Sequence, residues 1–279
     1  MNDRIKNCLW GLAAGEALAL RAKLATESPV RGLHSQLAIE VVSCLQGPEN
    51  PDAISKSFAE KLSLWVAKPA AANPSAACLE VASRIAANRP WNGSGVEEAI
   101  DNSCVARGTP IGAWASSVGA AAELALECAR VTHPNEVTIA SAAAAAVICF
   151  LAADGLPTGQ WAAKAADIVS VNKDFTEALS AASRLAADRV EPEVAMSDAF
   201  LGNGDFATET VARAMYCCMS APSSFADAVA LAAGAPGDPA ATAALVGAWM
   251  ATKQGMAAIP EGWTQGIAED IVSCLPVRT

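Results

Sequence analysis

The stretch Ala140-Ser-Ala-Ala-Ala-Ala-Ala146 overlaps the start of the most apolar part of the chain, which runs from about Ala142 to Ala153. Alanine has the highest intrinsic helix propensity, and its small side chain lets neighbouring helices approach closely. The apolar run is too short to span a bilayer with confidence. It therefore predicts a helix buried in a protein core, and no membrane association is expected.

The composition extends this prediction to the whole chain. Of its 279 residues, 53% are hydrophobic and 17% are charged, whereas aromatic residues make up only 5%. Such a chain can bury a large core, and disorder is not expected. Apolar residues recur at helical spacing, loops are short, and no composition shift marks a linker. We predict an all-α fold, a compact multi-helix bundle formed by a single domain over residues 1–279.

Proline, glycine and capping residues divide the chain into about a dozen predicted helices. Asp52 and Ser75 are candidate N-caps, and Asp238 precedes a proline at a first helical position. The segment from Thr132 to Glu136 indicates the end of one helix and the beginning of the next. The predicted helices are Arg4–Leu24, Ser35–Leu45, Pro51–Ala67, Ser75–Asn88, Ile111–Val131, Glu136–Ala153, Gly159–Val169, Phe175–Asp188, Thr208–Ser220, Phe225–Ala233, Pro239–Gln254 and Thr264–Leu275.

Charge and cysteine content restrict the function and the compartment. The net charge is −10 and no cluster of Lys and Arg occurs, which disfavours a nucleic-acid partner. The N-terminus is polar and lacks a secretory signal pattern. Nine dispersed cysteines include no C-x-x-C pair, which argues against a zinc ribbon or a thioredoxin-type motif. We expect reduced cysteines in a cytoplasmic protein.

The local motifs predict helices and turns, but they do not identify an active site. The chain has only two histidines, and His133, in a turn before a proline, is expected to form local hydrogen bonds. Gly202-Asn-Gly204 is expected to be a turn, and Glu97-Glu98 a solvated helix start. Cys217 and Cys218 are consecutive, so their side chains are expected to project from two different faces of one helix. Both side chains are expected to pack against neighbouring residues.

Several segments, in order, resemble motifs of the ADP-ribosylglycohydrolase family. The family's first helix carries G-D-A-L-G, and Gly11 to Ala19 holds Gly15-Glu16-Ala-Leu-Ala19 at that place. A middle family motif reads N-G-x-x-M-R-x-x-P-I-G, and Asn102 to Gly112 matches it at Asn102, Arg107, Pro110, Ile111 and Gly112. The family's T-H-P before an alanine-rich helix corresponds to Thr132-His-Pro134.

The resemblance continues to the C-terminal part of the chain. Gly202-Asn-Gly204 followed by Glu209 to Tyr216 is similar to the family's G-x-G turn and E-S-V-x-x-A-L-Y helix. Phe225 to Val229 and Ile259 to Trp263 match the family's D-F-x-x-A-V and I-P-x-x-W segments. The resemblance covers nearly the whole chain, and it implies a helical hydrolase fold with two magnesium ions in a cleft.

The positions where the family holds those ions carry other chemistry here. The T-D-D motif, followed by T-Q, becomes Gly32-Leu-His34 followed by Ser35-Gln36, and G-G-D-T-D-T becomes Pro236 to Ala241, which keeps only Asp238. Magnesium requires hard oxygen ligands in near-octahedral geometry. The catalytic glutamate of the family, seven residues after the first-helix aspartate, becomes Lys23 when counted from Glu16. We therefore expect no magnesium, no other metal and no other cofactor.

The first of three hypotheses is a non-catalytic relative kept as a binding or regulatory protein. It accounts for the lost ligands and the lost glutamate together. In one version Lys23 and His34 attract a small anionic or nucleotide-like ligand, with Ser35, Asn102, Arg107 and Asp238 as further binding residues. Lys23 could equally be a surface lysine at a helix end, and the sequence leaves any protein partner unknown.

The other two hypotheses keep catalysis. In one, the same cleft carries altered, magnesium-independent chemistry with Lys23, His34 and Cys104 as candidate catalytic groups. Cys104 is also expected to behave as a packing cysteine. In the other, acids such as Asp101, Asp205 and Asp238 rebuild a metal site, and the protein is a divergent ADP-ribosyl hydrolase.

Overall fold

The alanine-rich stretch forms the helix Glu136–Ala153, with the predicted bounds. The side chain of Asn135 caps it by accepting hydrogen bonds from the amides of Val137 and Thr138. This helix is long and apolar enough to cross a membrane, but 72% of its residues are buried inside the protein. Its burial is that of a core helix, as the sequence predicts.

The structure, a computed structural model, describes residues 3–24, 32–68, 72–169 and 173–264. These residues form thirteen α-helices joined by short loops and 3-10 turns. In chain order the helices are α1 Asp3–Leu24, α2 Leu33–Val42, α3 Pro51–Val66, α4 Ala76–Ala86, α5 Thr109–Trp114, α6 Val118–Arg130, α7 Glu136–Ala153, α8 Trp161–Ile168, α9 Lys173–Ala187, α10 Pro192–Ala195, α11 Ala207–Ser220, α12 Phe225–Ala233 and α13 Pro239–Gln254.

The helices surround two central ones, α7 and α13. Helix α7 packs against α5, α6 and α11, whereas α13 packs against α1, α11 and α12. Trp249 on α13 is fully buried, and its indole N–H donates to the Ala145 carbonyl of α7 at 3.0 Å. The prediction of an all-α, compact multi-helix domain is confirmed.

The most extensive helix–helix contact joins α1 and α13. Three glycines allow it: Gly11 and Gly15 on α1, and Gly247 on α13. A methyl group on Gly247 would overlap the carbonyl oxygen of Gly11, and one on Gly15 would overlap that of Ala243. The two backbones are therefore in direct contact, and this fixes the position of Glu16, one residue after Gly15.

Helix starts with a proline or a hydroxyl cap agree best with the sequence prediction. Ser75 caps α4, and Asp238 caps α13 ahead of Pro239. Asp52 is not the cap of α3, because Pro51 already occupies a first helical position and the preceding Asn50 accepts the amide hydrogen bond from Ala53.

Two further expectations about the middle of the chain are wrong. The predicted helix Ile111–Val131 is two helices, because Ala115 is extended and Ser117 caps a new start by accepting from the Ala120 amide. Glu97-Glu98 forms an exposed turn and does not begin a helix. The short helix α10 was not predicted, and the predicted helix Thr264–Leu275 lies, after its first residue, outside the described residues.

The cysteines behave as small apolar residues. The eight cysteines in the described part of the chain are free and buried, including both members of the Cys217-Cys218 pair. Burial raises the pKa of the Cys217 thiol to about 12. Both thiols therefore pack as protonated side chains, as predicted for this pair.

Candidate functional site

Glu16 on α1 is a buried carboxylate directed at the first turn of α2. Its Oε1 accepts from the His34 amide at 2.8 Å, and its Oε2 accepts from the Ser35 amide at 2.9 Å and from the Ser35 hydroxyl. Amides in the first turn of a helix have no partner within the helix, and the helix dipole favours a negative charge there. Glu16 therefore caps α2 from a different helix.

The residue at the N-cap position of α2, Gly32, makes room for this carboxylate. Its backbone is extended, so the position itself would accept any residue. A methyl group on Gly32 would, however, overlap the carboxyl group of Glu16 and approach Leu20. Glu16 is one methylene longer than the aspartate of the family motif, and its carboxyl group occupies the space that a side chain at position 32 would need.

A second polar cluster joins three loops at the start of α13. Asn102 donates from Nδ2 to the Gly204 carbonyl at 2.7 Å and to Asp238 Oδ2 at 3.0 Å. The other oxygen of Asp238 accepts from the Ala240 amide at 3.3 Å. Thr210 also donates to the Gly204 carbonyl. Both oxygens of Asp238 therefore have partners within the protein.

Arg213 on α11 places a buried cation next to this cluster. Its Nη2 donates to the Pro236 carbonyl at 2.6 Å, and its Nη1 lies against Gly204. Burial lowers the pKa of Arg213 below its ordinary value, although the carboxylates of Glu209 and Asp238 oppose the shift. The buried guanidinium of Arg213 thus interacts electrostatically with Asp238, the only carboxylate that the family motif retains.

Four of the predicted site residues meet in these two clusters. His34 and Ser35 contact Glu16 through their backbone amides, and Asn102 contacts Asp238. The His34 side chain is also buried, and its Nδ1 has no hydrogen-bond partner among the described residues.

Lys23 and Cys104 do not form a nucleophile–base pair that a substrate could reach. Lys23 is exposed in the last turn of α1, the arrangement expected of a surface lysine. Cys104 is 1% exposed, and burial raises the pKa of its thiol to about 12. A nucleophilic cysteine needs a thiolate in an accessible setting.

Arg107 lies in the interior of the protein. Its guanidinium is 1% exposed and lies 4.6 Å from the ring centre of Phe58. Nη2 donates to the Thr132 hydroxyl at 2.6 Å and to the Cys128 carbonyl at 3.3 Å. These contacts do not favour the predicted role of Arg107 in ligand binding.

Thr132 also connects Arg107 to a buried histidine. The Thr132 hydroxyl lies 2.6 Å from His133 Nδ1, and His133 Nε2 lies 3.1 Å from Asp101 Oδ2. His133 is fully buried, whereas the Asp101 side chain is 40% exposed. The expected local hydrogen bonding of His133 is confirmed.

Both titratable groups of this pair have lowered pKa values. Burial lowers the pKa of His133, and the nearby Asp101 offsets only part of the shift. Burial raises the pKa of Asp101, but the contact with His133 and the Ser103 donors outweigh it and hold the pKa well below its ordinary value. Neutral His133 beside ionised Asp101 is thus the native arrangement near pH 7.

We expect acid to destabilise the protein through this pair. A lowered pKa means that the unfolded chain binds protons which the folded chain does not, so stability is lost as pH falls. The loss begins near pH 6.5, the ordinary value for histidine, and continues through the range of aspartate. Urea midpoints between pH 7 and 5 should fall in the native protein and fall less in His133→Gln, which cannot titrate there.

His34→Gln is the matched control for this experiment, because it removes the other histidine and leaves the pair intact. The loss of stability that arises from the His133–Asp101 pair should therefore persist in this variant. Equal slopes for the native protein and His133→Gln would show that His133 does not couple protonation to folding.

Comparison with known proteins agrees with this architecture. A sequence model of ADP-ribosylglycohydrolase matches residues 1–277. A solved chain described as an ADP-ribosylglycohydrolase-related protein complex superposes with a TM-score of 0.70 at 18% identity, covering 98% of this chain and 96% of the other. Among curated proteins, no significant match is found. The chain belongs to the ADP-ribosylglycohydrolase family.

The residues at the positions of the family's two magnesium motifs have other hydrogen-bond partners or no side-chain oxygen in this structure. The oxygens of Glu16 and Asp238 accept hydrogen bonds from amides, and Leu33, Ala240 and Ala241 supply no side-chain donor. Among the described residues, no three His, Cys, Asp or Glu side chains lie close enough to hold a metal. Glu27, the only acid between Glu16 and Glu40 in the sequence, lies outside those residues.

Sequence reasoning missed two functional features of this region. The resemblance predicts Glu16 only as the counterpart of a family aspartate, and it does not predict that Glu16 caps α2. The sequence also does not predict a buried cation at Arg213. The clue to Glu16 was the glycine at position 32, where a helix start lacks its own capping side chain. For Arg213, no signal in the sequence indicated burial.

Proposed function

We propose that this chain is a non-catalytic member of its family, retained as a binding or regulatory protein. The observation that carries the proposal is the engagement of Glu16 by the first turn of α2. A carboxylate that accepts two amides and a hydroxyl has little remaining capacity to bind a cation. In this proposal an internal carboxylate replaces the metal site.

The charge balance of the neighbouring cluster supports the same proposal. Asp238 needs no metal for compensation, because Asn102 donates to it and the buried Arg213 lies close by. Lys23, where the family places its catalytic glutamate, cannot act as a general base in its charged form. Altered chemistry gains no support, because Cys104 is buried and protonated.

The proposal is tested with magnesium and with substrate. We expect millimolar magnesium to leave the melting temperature unchanged, because a ligand stabilises a protein only when it binds the folded state. We also expect no ADP-ribose release from peptides modified on arginine or serine. An active family member, assayed in parallel, is the control. Magnesium-dependent stabilisation together with ADP-ribose release would contradict the proposal.

A small anionic or nucleotide-like ligand remains part of the proposal. The amides of His34 and Ser35, which could receive an anion, already bind Glu16, so in this proposal the exposed ammonium group of Lys23 attracts the ligand. Stabilisation by ADP-ribose or phosphate in the absence of magnesium, lost in Lys23→Ala, would support it.

Free, buried cysteines are compatible with the cytoplasmic location that we also propose.

A further inference from the structure

A large groove lies outside the clusters described above. It has a volume of about 930 Å³ and runs between α10, the end of α11 and the outer face of α12. Its lining includes the partly apolar surface of Met196, Leu231 and Ala235. Protein grooves of this size accommodate small molecules or a short chain segment.

The groove carries negative charge from three exposed side chains. These are Glu191, which precedes α10, Glu193 within α10, and Asp227 in the first turn of α12. No Lys, Arg or His is found among the described residues that line it. None of these three carboxylates forms a salt bridge within the described part of the chain, so their charge acts on whatever enters the groove.

Helix ends of both signs border the groove. Helix α11 ends at Ser220 and α12 ends at Ala233, next to Gly234, and both ends border the groove. The C-terminal end of a helix carries partial negative charge, which a Lys or Arg in the last turn often offsets. Neither helix has a basic residue in its last turn. The first turn of α12, which contains Asp227, also lines the groove and offsets the C-terminal end of the same helix, so the net negative charge comes from the three carboxylates and the end of α11.

The occupant most compatible with this surface is another protein. A second copy of this chain is disfavoured by its net charge of −10 and by the absence of a basic cluster in its sequence. The chain's own end, residues 265–279, carries Glu269 and Asp270 but only one basic residue, Arg278. A basic segment with apolar side chains between its cations matches both the charge and the apolar lining.

We propose that the groove binds a segment of a partner protein that presents arginine or lysine together with leucine-like side chains. The groove also borders the loop that positions Asp238, because Pro236 lines the groove and its carbonyl accepts a hydrogen bond from Arg213. A bound segment therefore lies against the loop that connects the groove to the Asn102–Asp238 cluster. This inference does not depend on whether the protein is catalytic.

The test uses a short fluorescein-labelled peptide of arginine, leucine and glycine, followed by fluorescence anisotropy on the full chain. We expect saturable binding that weakens at least tenfold in the variant Glu191→Gln/Glu193→Gln/Asp227→Asn. The control variant Glu97→Gln/Glu98→Gln/Glu123→Gln removes the same number of exposed carboxylates elsewhere and should bind as the native chain does.

A steric variant and two further probes complete the experiment. Ala230→Trp places a large side chain in the groove at an exposed position without changing its charge, and it should abolish binding while leaving the melting temperature unchanged. The same peptide with glutamate in place of arginine should not bind. Absence of binding by the arginine peptide, equal weakening in both triple variants, or equally strong binding of spermine would overturn the proposal.

Discussion

Replacing Gly247 with alanine is expected to destabilise the protein by more than about 4 kcal/mol, which is exceptional for a single substitution. The added methyl group would overlap the carbonyl oxygen of Gly11, and this oxygen belongs to the backbone of a helix and cannot turn aside. Relief requires α1 and α13 to separate, which opens the most extensive helix contact of the fold. Circular dichroism during urea unfolding measures the loss.

Gly119→Ala is the matched control, because Gly119 lies within α6 and no atom would meet its added methyl group within 4 Å. Alanine is the better helix former, so this variant should be unchanged or more stable by up to about 1 kcal/mol. If Gly247→Ala melted within a few degrees of the native protein, the close packing of α1 on α13 would be wrong.

The helices could be predicted because their signals are local. Glu136–Ala153, Phe225–Ala233 and Pro239–Gln254 have the bounds that the sequence predicts. A cap such as Asp238 and a helix-breaking proline act within a few residues of the end they define. The break at Ala115 was missed because the apolar periodicity continues across it, and only the backbone turn separates α5 from α6.

For the candidate site, the sequence predicts which residues belong to it but not which of them contact each other. Asn102 was identified through a family motif, but its hydrogen bond to Asp238 joins residues 136 apart in the chain. The burial of Arg213 likewise depends on three loops that meet only in the folded protein. Composition and spacing contain no record of such contacts. The extent of the single domain, residues 1–279, remains a prediction.

Replacing Gly32 with threonine, the residue that the family resemblance places there, is expected to destabilise the protein by about 3 kcal/mol. The new side chain would overlap the carboxyl group of Glu16, which is 1% exposed and held by His34 and Ser35. Displacing it breaks hydrogen bonds to a charged group, each worth roughly 1.5–3 kcal/mol, and leaves a buried charge without partners. The midpoint of urea unfolding measures the change.

The double variant Glu16→Asp/Gly32→Thr distinguishes this cause from a general intolerance of position 32. Aspartate is one methylene shorter and withdraws the carboxylate from the space that threonine needs. We expect Glu16→Asp alone to cost about 1–2 kcal/mol through weaker capping of α2. The double variant should be more stable than the sum of the single changes by at least about 1 kcal/mol, the range of coupling expected for residues in contact.

Additive effects would show that the Glu16 carboxylate does not occupy the space next to Gly32, and the proposed replacement of a metal site by an internal carboxylate would lose its basis. Coupling would support that the longer acid and the glycine act as one unit. The double variant also carries the acid and the hydroxyl residue of the family at these two positions. It still lacks carboxylates at positions 33 and 34, so magnesium should leave its melting temperature unchanged as well.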